Sequence, residues 1–373
     1  MRLPSIDILR ALAIVLMIVV HFVENLSGSY GSDGGPFLGA ARYGWLPTGF
    51  AAPLFTFLSG VSYRLWLDAQ TRRGRDDVTI SKATVRRGLL LMLLGFAFNV
   101  VVWTPEDVFN WDVLTFIGTA ILALDVVRRM PPWPTALTAC LVVAVSPALR
   151  SLADYPAAWT DGSFDYDFTL HDVALGFLVT GYFPVFPWIA FPIAGFLAAP
   201  AILGPAAGGE DRGPLRPLAG GGLLVAASAV AIALRPVLPS TLTSSTAAWT
   251  MFPATTAYVL GTLGATVIAL TLLHRRLDGG DGRAAVATPW ASALSRHALT
   301  IYLLHHVVHV WPLWAWGYAS TGEMTSLWQV AMPAWIAVVC GLVCVVAMAV
   351  VARWMDQTRA PSAESLLRWL SDP

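Results

Sequence analysis

The sequence predicts an all-α membrane protein that crosses the bilayer about ten times. Of its 373 residues, 56% are hydrophobic and only 12% are charged, and the mean hydropathy is +0.65. A soluble domain is typically about 25% charged. A helix needs roughly 20 apolar residues to span the hydrocarbon core. Stretches of that kind centre on residues 5–26, 47–68, 84–104, 112–128, 133–150, 172–204, 217–236, 250–273, 292–316 and 327–354.

Two of these spans have unusual features. The first begins with Arg2, as a signal peptide would, but it lacks a small-residue cleavage site and its far end is polar, so we expect it to be retained. The sixth carries Pro184, Pro187 and Pro192. Prolines at membrane depth predict a kinked or broken helix whose freed backbone groups bond to protein or water.

Basic residues near the span ends predict the orientation. With the N-terminus inside, only Arg42, Arg150 and Arg235 fall on the outer side of what we expect to be the plasma membrane. Both termini are therefore predicted to be cytoplasmic. The basic residues on the cytoplasmic side would be Arg2, Arg72, Arg73, Arg75, Lys82, Arg86, Arg87, Arg128, Arg129, Arg212, Arg216, Arg275, Arg276, Arg283, Arg296, Arg353, Arg359 and Arg368.

Overall charge excludes one class of partner. Basic and acidic residues number 23 each, so no net positive field is available to bind nucleic acid. Lys82 is the only lysine among the basic residues, a bias that indicates a GC-rich, bacterial genome.

The predicted outer segments carry carboxylates interleaved with aromatic residues. This composition suits a polyol or amine ligand, but it equally suits solvated loops with an aromatic belt at the membrane interface. The residues are Glu106, Asp107, Asp154, Asp161, Asp165, Asp167 and Asp172, with Trp103, Trp111, Trp159 and Tyr166.

Ionisable side chains form a polar stripe on the first span. Because helical residues advance by about 100° each, the stripe occupies an arc of about 100°. Ionisable groups at membrane depth are costly and mark a buried interior or a water-filled cavity. Arg10 and His21 are separated by about 16 Å of helical rise, so a ligand could extend between them. The stripe comprises Asp7, Arg10, His21, Glu24 and Asn25.

The ninth span repeats the pattern in "SRHALTIYLLHHVVHVW". Tyr302, His305, His306 and His309 share one face, which cannot be in contact with lipid. Imidazoles ligate transition metals, but adjacent His305 and His306 are expected to diverge, and we predict no metal. The alternatives are a hydrogen-bonding or proton-relay wall, and single histidines that donate to a neighbouring helix's carbonyl.

Two other segments allow both a structural and a functional interpretation. Ser59 and Gly60, in the second span, are small enough for close helix approach. Arg86 and Arg87 open the third span and serve as a topology signal. Their guanidinium groups could also bind a phosphorylated ligand at the interface.

These segments resemble a family of transmembrane acyltransferases. "RALAIVLMIVVH", an arginine and a histidine with ten residues between them, is similar to the motif of the acyltransferase-3 family. In order, "SIDILRALAIVLMIVVH", "LFTFLSGVSYRL", "TVRRGLLLMLLG" and "SRHALTIYLLHH" also resemble the heparan-α-glucosaminide N-acetyltransferase-like proteins and bacterial multi-pass relatives. "GYFPVFPWIAF" and "RAPSAESLLRWL" resemble one of those bacterial families.

The resemblance implies a single transmembrane acyltransferase domain across residues 1–373. Such an enzyme would move an acyl group, usually acetyl, from cytoplasmic acyl-CoA to a hydroxyl or amine of a glycan or other small acceptor. Its partners would be acyl-CoA, that acceptor and membrane lipids. A homodimer is left open.

Site roles follow from the resemblance together with the chemistry of the side chains. His21 would be the general base, with Glu24 or Asp7 orienting it or balancing its charge. Arg10, Arg86 and Arg87 would bind the donor, with Ser59 and Gly60 as looser matches. Tyr302, His305, His306 and His309 would bind substrate, stabilise the oxyanion or relay the proton.

The sequence departs from the heparan-type branch at the first helix. That branch has an asparagine where this chain has His21, and the luminal histidine of that branch has no counterpart between Asn25 and Trp45. These differences weigh against N-acetylation of glucosamine and favour the acyltransferase-3 arrangement.

Two other classes of protein remain open. A proton-coupled transporter also uses intramembrane Arg, His and Glu with a broken helix, although no inverted repeat is evident. A non-catalytic scaffold or glycolipid-binding protein would not need so many ionisable groups at membrane depth.

Overall fold

The computed structural model describes residues 3–27, 47–160, 162–209, 213–237, 246, 248–278 and 288–371. Arg2, Arg42, Asp161, Arg212 and Arg283 lie outside these ranges.

Regular structure in the described ranges is almost entirely helical. The helices are α1 (Pro4–Leu26), α2 (Ala51–Arg72), α3 (Asp77–Val102), α4 (Val113–Val127), α5 (Pro132–Leu152), α6 (Leu170–Leu175), α7 (Val185–Trp188), α8 (Ala190–Leu203), α9 (Leu215–Ala233), α10 (Thr256–Leu273), α11 (Thr288–Arg296), α12 (Ala298–Thr321), α13 (Ala334–Thr358) and α14 (Ala363–Ser371). Two short strands, β1 (Trp159–Thr160) and β2 (Ser163–Phe164), pair antiparallel.

The predicted membrane architecture is confirmed. Among the described residues, eight helical segments are long and apolar enough to cross a membrane. Helices α2 and α12 have the length for a span but a more polar composition. With these two, the helices coincide with the ten stretches read from the sequence, and the fold is an all-α polytopic membrane protein.

Capping residues explain where several helix boundaries differ from the apolar windows. Helix α3 begins at Asp77, seven residues before its window, because the Asp76 side chain accepts a hydrogen bond from the Thr79 amide. Helix α10 begins after its window does, at Thr256, because Thr255 caps it in the same way. The ninth stretch is divided at His297 into α11 and α12.

The proline-rich sixth stretch is broken, as predicted. Helix α6 runs into a π-helical turn at Gly176–Thr180, and the chain resumes as α7 and α8. Pro184 directly precedes α7, where its ring cannot continue a helix. The break leaves the segment around Tyr182 and Phe183 to line a cavity between the helices.

Close backbone contact joins α2 to α8. A Cβ atom placed on Gly60 would lie 1.9 Å from the Pro192 carbonyl oxygen, and one on Gly195 would lie 2.1 Å from the Phe57 carbonyl oxygen. Only glycine allows this approach at either position. Gly60 therefore has the packing role that small residues suggested in the sequence.

Helix α1 lies inside one half of the bundle, in contact with α2, α11, α12 and α13. Most of its apolar side chains are buried, among them Ile14, Ile18 and Phe22. This position brings its polar stripe against α12, which carries the histidines.

Candidate functional site

Two cavities lie along α1, and they differ in charge. The basic cavity, of about 820 Å³, is lined by five arginines: Arg10, Arg73, Arg87, Arg296 and Arg368. The acidic cavity, of about 600 Å³, is lined by the carboxylates Glu24, Asp107 and Asp112 together with His21 and His306.

Four side chains line both cavities, so the two spaces meet inside the bundle. Met17, Phe55, Val113 and Tyr302 form this boundary. Both volumes lie within the range of small-molecule sites, about 300 to 1,000 Å³. A long ligand in one cavity could therefore present its end to a ligand in the other.

The polar stripe of α1 is divided between the cavities. Arg10 lines the basic cavity, whereas His21, Glu24 and Asn25 line the acidic one. Asp7 lines neither of them; it is buried and accepts a hydrogen bond of 3.0 Å from the Ser292 hydroxyl. The structure thus places Asp7 apart from His21, with Arg10 between them along the helix.

Serines from two helices hold the Arg10 guanidinium. Nη1 donates to Ser295 Oγ at 2.8 Å and Nη2 donates to Ser62 Oγ at 2.7 Å. The side chain is only partly exposed. These two hydroxyl partners fix the direction of the guanidinium.

The adjacent arginines of α3 have different positions. The Arg87 guanidinium lies 5.3 Å from the ring centre of Trp66 and lines the basic cavity. Arg86 is exposed and is not among the residues that line the described cavities. Ser59 lines the basic cavity, and its hydroxyl donates to the Thr56 carbonyl at 2.7 Å.

The histidines of α12 gather around His21. Nδ1 of His21 lies 2.9 Å from Nε2 of His305, and the His21 ring centre is 4.5 Å from that of His306. The expectation that His305 and His306 diverge is wrong, because their ring centres are only 4.0 Å apart. Both rings contact the ring of His21, with ring centres 5.2 Å away for His305 and 4.5 Å away for His306.

Backbone hydrogen bonds determine the tautomers of these rings. Nδ1 of His305 lies 2.9 Å from the Ile301 carbonyl oxygen, and Nδ1 of His306 lies 3.0 Å from that of Tyr302. A carbonyl only accepts, so each Nδ1 carries the proton and each neutral ring presents Nε2 as an acceptor. His21 then donates from Nδ1 to His305, which leaves a lone pair on its own Nε2.

His309 completes the cluster at the next turn. Its Nδ1 donates to the His305 carbonyl at 2.6 Å, and its Nε2 accepts from the Asn25 amide at 2.7 Å. With both ring nitrogens in use, His309 serves to fix the neighbouring rings and the end of α1.

Three of these imidazoles could also hold a metal ion. Ring nitrogens of His21, His305 and His306 lie within 4.8 Å of one another. The hydrogen bonds from Nδ1 to backbone carbonyls match those that orient metal-bound histidines. The hydrogen bond between His21 and His305 accounts for the same arrangement without an ion.

Asp112 is a site residue that the sequence analysis missed. Its Oδ1 caps α4 by accepting from the Thr115 amide at 3.0 Å, and its Oδ2 accepts from the Tyr302 hydroxyl at 3.1 Å. The signal was available, because an aspartate directly before the apolar run "VLTFIGTAILAL" is a typical N-cap. Its hydrogen bond with Tyr302 joins the start of α4 to α12, which lies far away in the sequence.

The predicted outer carboxylates do not form one group. Asp107 and Trp103 line the acidic cavity, whereas Asp154, Asp165, Asp167 and Asp172 line a separate cavity of about 280 Å³. Tyr166 also lines this smaller cavity, and burial raises the pKa of its hydroxyl. That hydroxyl donates to the Glu106 carbonyl at 2.5 Å.

Fold and site together define a polytopic helical membrane protein whose buried polar groups line two adjoining cavities. A family model described as heparan-alpha-glucosaminide N-acetyltransferase, catalytic, matches residues 2–211. The chain belongs to this family of membrane acetyltransferases, as its resemblance predicted. No curated protein matches the chain.

Proposed function

We propose that this protein transfers an acyl group, in the first instance acetyl, from acyl-CoA to a hydroxyl or amine acceptor. One observation carries the proposal: a basic and an acidic cavity meet at Tyr302, with His21 on the acidic side. The family match supports acetyltransferase chemistry.

The basic cavity suits the donor. Coenzyme A carries phosphate groups, and the guanidinium groups of Arg10 and Arg87 match phosphate in charge and geometry. Positive charge at cytoplasmic loops supports a cytoplasmic opening for this cavity, with both termini on the same side of the plasma membrane. The thioester would then reach the boundary near Met17 and Tyr302.

His21 has the features of a general base. Its Nε2 lone pair accepts the proton of the acceptor while the acceptor oxygen or nitrogen attacks the thioester carbonyl carbon. The new bond to carbon forms, the bond from carbon to sulfur breaks, and the CoA thiolate takes up the proton from His21. The Tyr302 hydroxyl lies at the boundary and donates to Asp112 in this structure; during transfer it would donate to the oxyanion in place of that carboxylate.

Donor binding and transfer are tested separately in purified protein in lipid nanodiscs. His21→Ala should bind acetyl-CoA like the wild type but lose about 10²- to 10⁴-fold in transfer rate, the usual contribution of a general base. Calorimetry measures binding, and release of free thiol measures transfer. Wild-type turnover in His21→Ala would contradict the role of His21.

Arg87→Ala should weaken acetyl-CoA binding, and Arg86→Ala is its matched control. The two residues are adjacent on α3, but only Arg87 lines the basic cavity. An equal loss of acetyl-CoA affinity in both variants would indicate an effect of surface charge and would overturn the assigned donor site. If no acyl-CoA binds to folded protein, a proton-coupled transporter is favoured, since it would move substrate without consuming a donor.

A further inference from the structure

Three imidazoles beside the acidic cavity gather in a small space. Ring nitrogens of His21, His305 and His306 lie within 4.8 Å of one another. His305 and His306 are buried, while His21 is partly exposed. Imidazole nitrogens are good ligands for transition metals, so three of them at this separation favour a cation that all three can bind.

Hydrogen bonds already orient the two rings of α12 for this purpose. His305 and His306 each donate from Nδ1 to a backbone carbonyl, so each presents the lone pair of Nε2. A backbone acceptor on the far ring nitrogen is the arrangement that orients metal-bound histidines. His21 faces Nε2 of His305 with its Nδ1, at 2.9 Å. The donor set is therefore Nδ1 of His21 with Nε2 of the other two rings.

Only small movements separate this arrangement from a zinc site. Nitrogen ligands lie about 2.0 to 2.1 Å from Zn²⁺, so two of them at a tetrahedral angle are about 3.3 Å apart. His21 and His305 would separate by about 0.4 Å from their present contact, and no pair of donors would have to close by more than about 1.5 Å. His21 is the most exposed of the three rings and can make most of this adjustment.

The acidic cavity gives an ion access to these rings. His21 and His306 line that cavity, so an ion between them keeps a fourth position for water or another ligand on the cavity side. Carboxylates of Glu24, Asp107 and Asp112 line the same space, and negative charge raises the local concentration of cations.

We propose that His21, His305 and His306 bind a divalent transition-metal ion of the Zn²⁺ type, and that the bound ion inhibits acyl transfer. The site rests on the geometry alone, whereas the inhibition rests on the proposed function. A neutral imidazole offers a lone pair on Nδ1 only when its proton is on Nε2. Nε2 of His21 is then unable to accept the proton of the acceptor, and ligation through Nε2 would block that atom directly. His21 therefore serves either as a zinc ligand or as the general base.

Zinc binding is measured on the wild-type chain, free of any histidine tag, in lipid nanodiscs. Calorimetry and metal analysis should show one Zn²⁺ per chain, and Mg²⁺ should not compete, because it prefers oxygen ligands. X-ray absorption of the zinc-loaded protein should show imidazole nitrogens at about 2.0 to 2.1 Å. No saturable binding of Zn²⁺ by folded protein, or a shell of oxygen ligands alone, would overturn the proposal.

Two variants locate the bound ion. His305→Gln removes one ligand and keeps a hydrogen-bond acceptor, and it should weaken Zn²⁺ binding by about 100-fold or more, since loss of an outer-shell partner alone costs about 10- to 100-fold. His171→Ala is the matched control, because His171 is exposed and lines the smaller cavity with several carboxylates. It should leave the affinity unchanged. Loss of affinity in His171→Ala alone would move the site to that cavity and overturn the proposal.

Inhibition is measured as the rate at which CoA forms from acetyl-CoA, with ethanolamine as a probe acceptor that offers both a hydroxyl and an amine. Mass spectrometry detects the CoA, because Zn²⁺ binds free thiols. At ten times its Kd, Zn²⁺ should lower the rate about tenfold by mass action, and a chelator should restore it. In His305→Gln, half-inhibition should need about 100-fold more Zn²⁺. Full activity of the zinc-loaded protein, or a requirement for Zn²⁺, would overturn the inhibitory role.

Failure of this proposal is distinguishable from failure of the proposed function. If Zn²⁺ binds to these histidines but the metal-free protein forms no CoA, the metal site stands and the acyltransferase assignment falls. If the metal-free protein transfers the acyl group and Zn²⁺ neither binds nor inhibits, the assignment stands and the metal site falls.

Discussion

Three imidazoles of α12 determine what the ring of His21 can do. His305 accepts its Nδ1 proton, His306 packs against its face and His309 holds the Asn25 amide one turn further along α1. Because the α12 rings are anchored on backbone carbonyls, their acceptor nitrogens have fixed directions. The lone pair on His21 Nε2 is therefore a consequence of the neighbouring helix.

His305 is a positioning residue in this scheme, and its substitution should impair transfer without affecting donor binding. In His305→Leu, His21 loses its Nδ1 acceptor, and we expect kcat to fall by about 10- to 100-fold, less than the loss expected for the base itself. His305→Gln keeps an acceptor near the former Nε2 and should recover part of the rate.

Steady-state kinetics and acetyl-CoA binding provide the measurement for His305. If His305 had a purely structural role, kcat would fall equally in both variants and the unfolding temperature would fall with it. Equal kcat in the Leu and Gln variants would therefore argue against control of the tautomer.

Close contact between α2 and α8 sets the position of the basic cavity wall. Gly60 and Gly195 lie at this contact, while Ser59 and Ser62 of the same turns of α2 line the basic cavity. Ser62 in turn accepts from Arg10. Packing on one face of α2 thus determines where its other face meets α1.

Gly60→Ala should destabilise the protein by about 1 to 3 kcal/mol, since the new methyl group would overlap the Pro192 carbonyl. Gly222→Ala is the matched control, because a Cβ there meets no atom within 4 Å and alanine favours a helix. Thermal unfolding in detergent provides the comparison. Equal unfolding temperatures would show that α2 and α8 can separate at low cost.

The C-terminal helix α14 contributes to the same cavity. Oε1 of Glu364 accepts from the Leu299 amide at 2.6 Å and from the Thr300 amide at 3.0 Å, at the start of α12. Carboxylates are stabilised at helix N-termini, where backbone amides lack partners. This contact places Leu367 and Arg368 in the lining of the basic cavity.

Positive and negative side chains are separated along α1. Arginines surround the cavity near the beginning of this helix, and carboxylates line the cavity near its end. The separation agrees with the distribution of basic residues that predicted the orientation. This separation of charge gives each cavity a preferred ligand charge, independent of any single contact.

Orientation can be measured with single cysteines in a variant that lacks the three native cysteines. Arg75→Cys lies in the exposed turn between α2 and α3, and Asp167→Cys lies in the exposed segment before α6. On intact cells, an impermeant maleimide should label position 167 and should label position 75 only after permeabilisation. The reverse pattern would place the basic cavity on the outer side.

The fold class, the approximate spans and the family were predictable from the sequence. Length and apolar composition suffice for the fold class and the spans, because a chain in lipid must satisfy its backbone within helices and each helix must match the bilayer thickness. The family followed from the motifs around Arg10 and His21. Helical periodicity also identified the polar faces that carry Arg10, His21 and His305. Local capping signals, such as Asp76 and Thr255, account for the boundaries that the apolar windows misplaced.

How these polar faces meet depends on the packing of the helices. Periodicity places Asp7 and His21 on one stripe, but the packing of α11 and α12 sends Asp7 to Ser292 and His21 to His305. Asp112, Asn99 and the shared boundary at Tyr302 belong to helices distant in sequence, and their proximity depends on packing that no local pattern encodes. The two cavities exist because helices with polar faces pack around α1 without filling the space beside it.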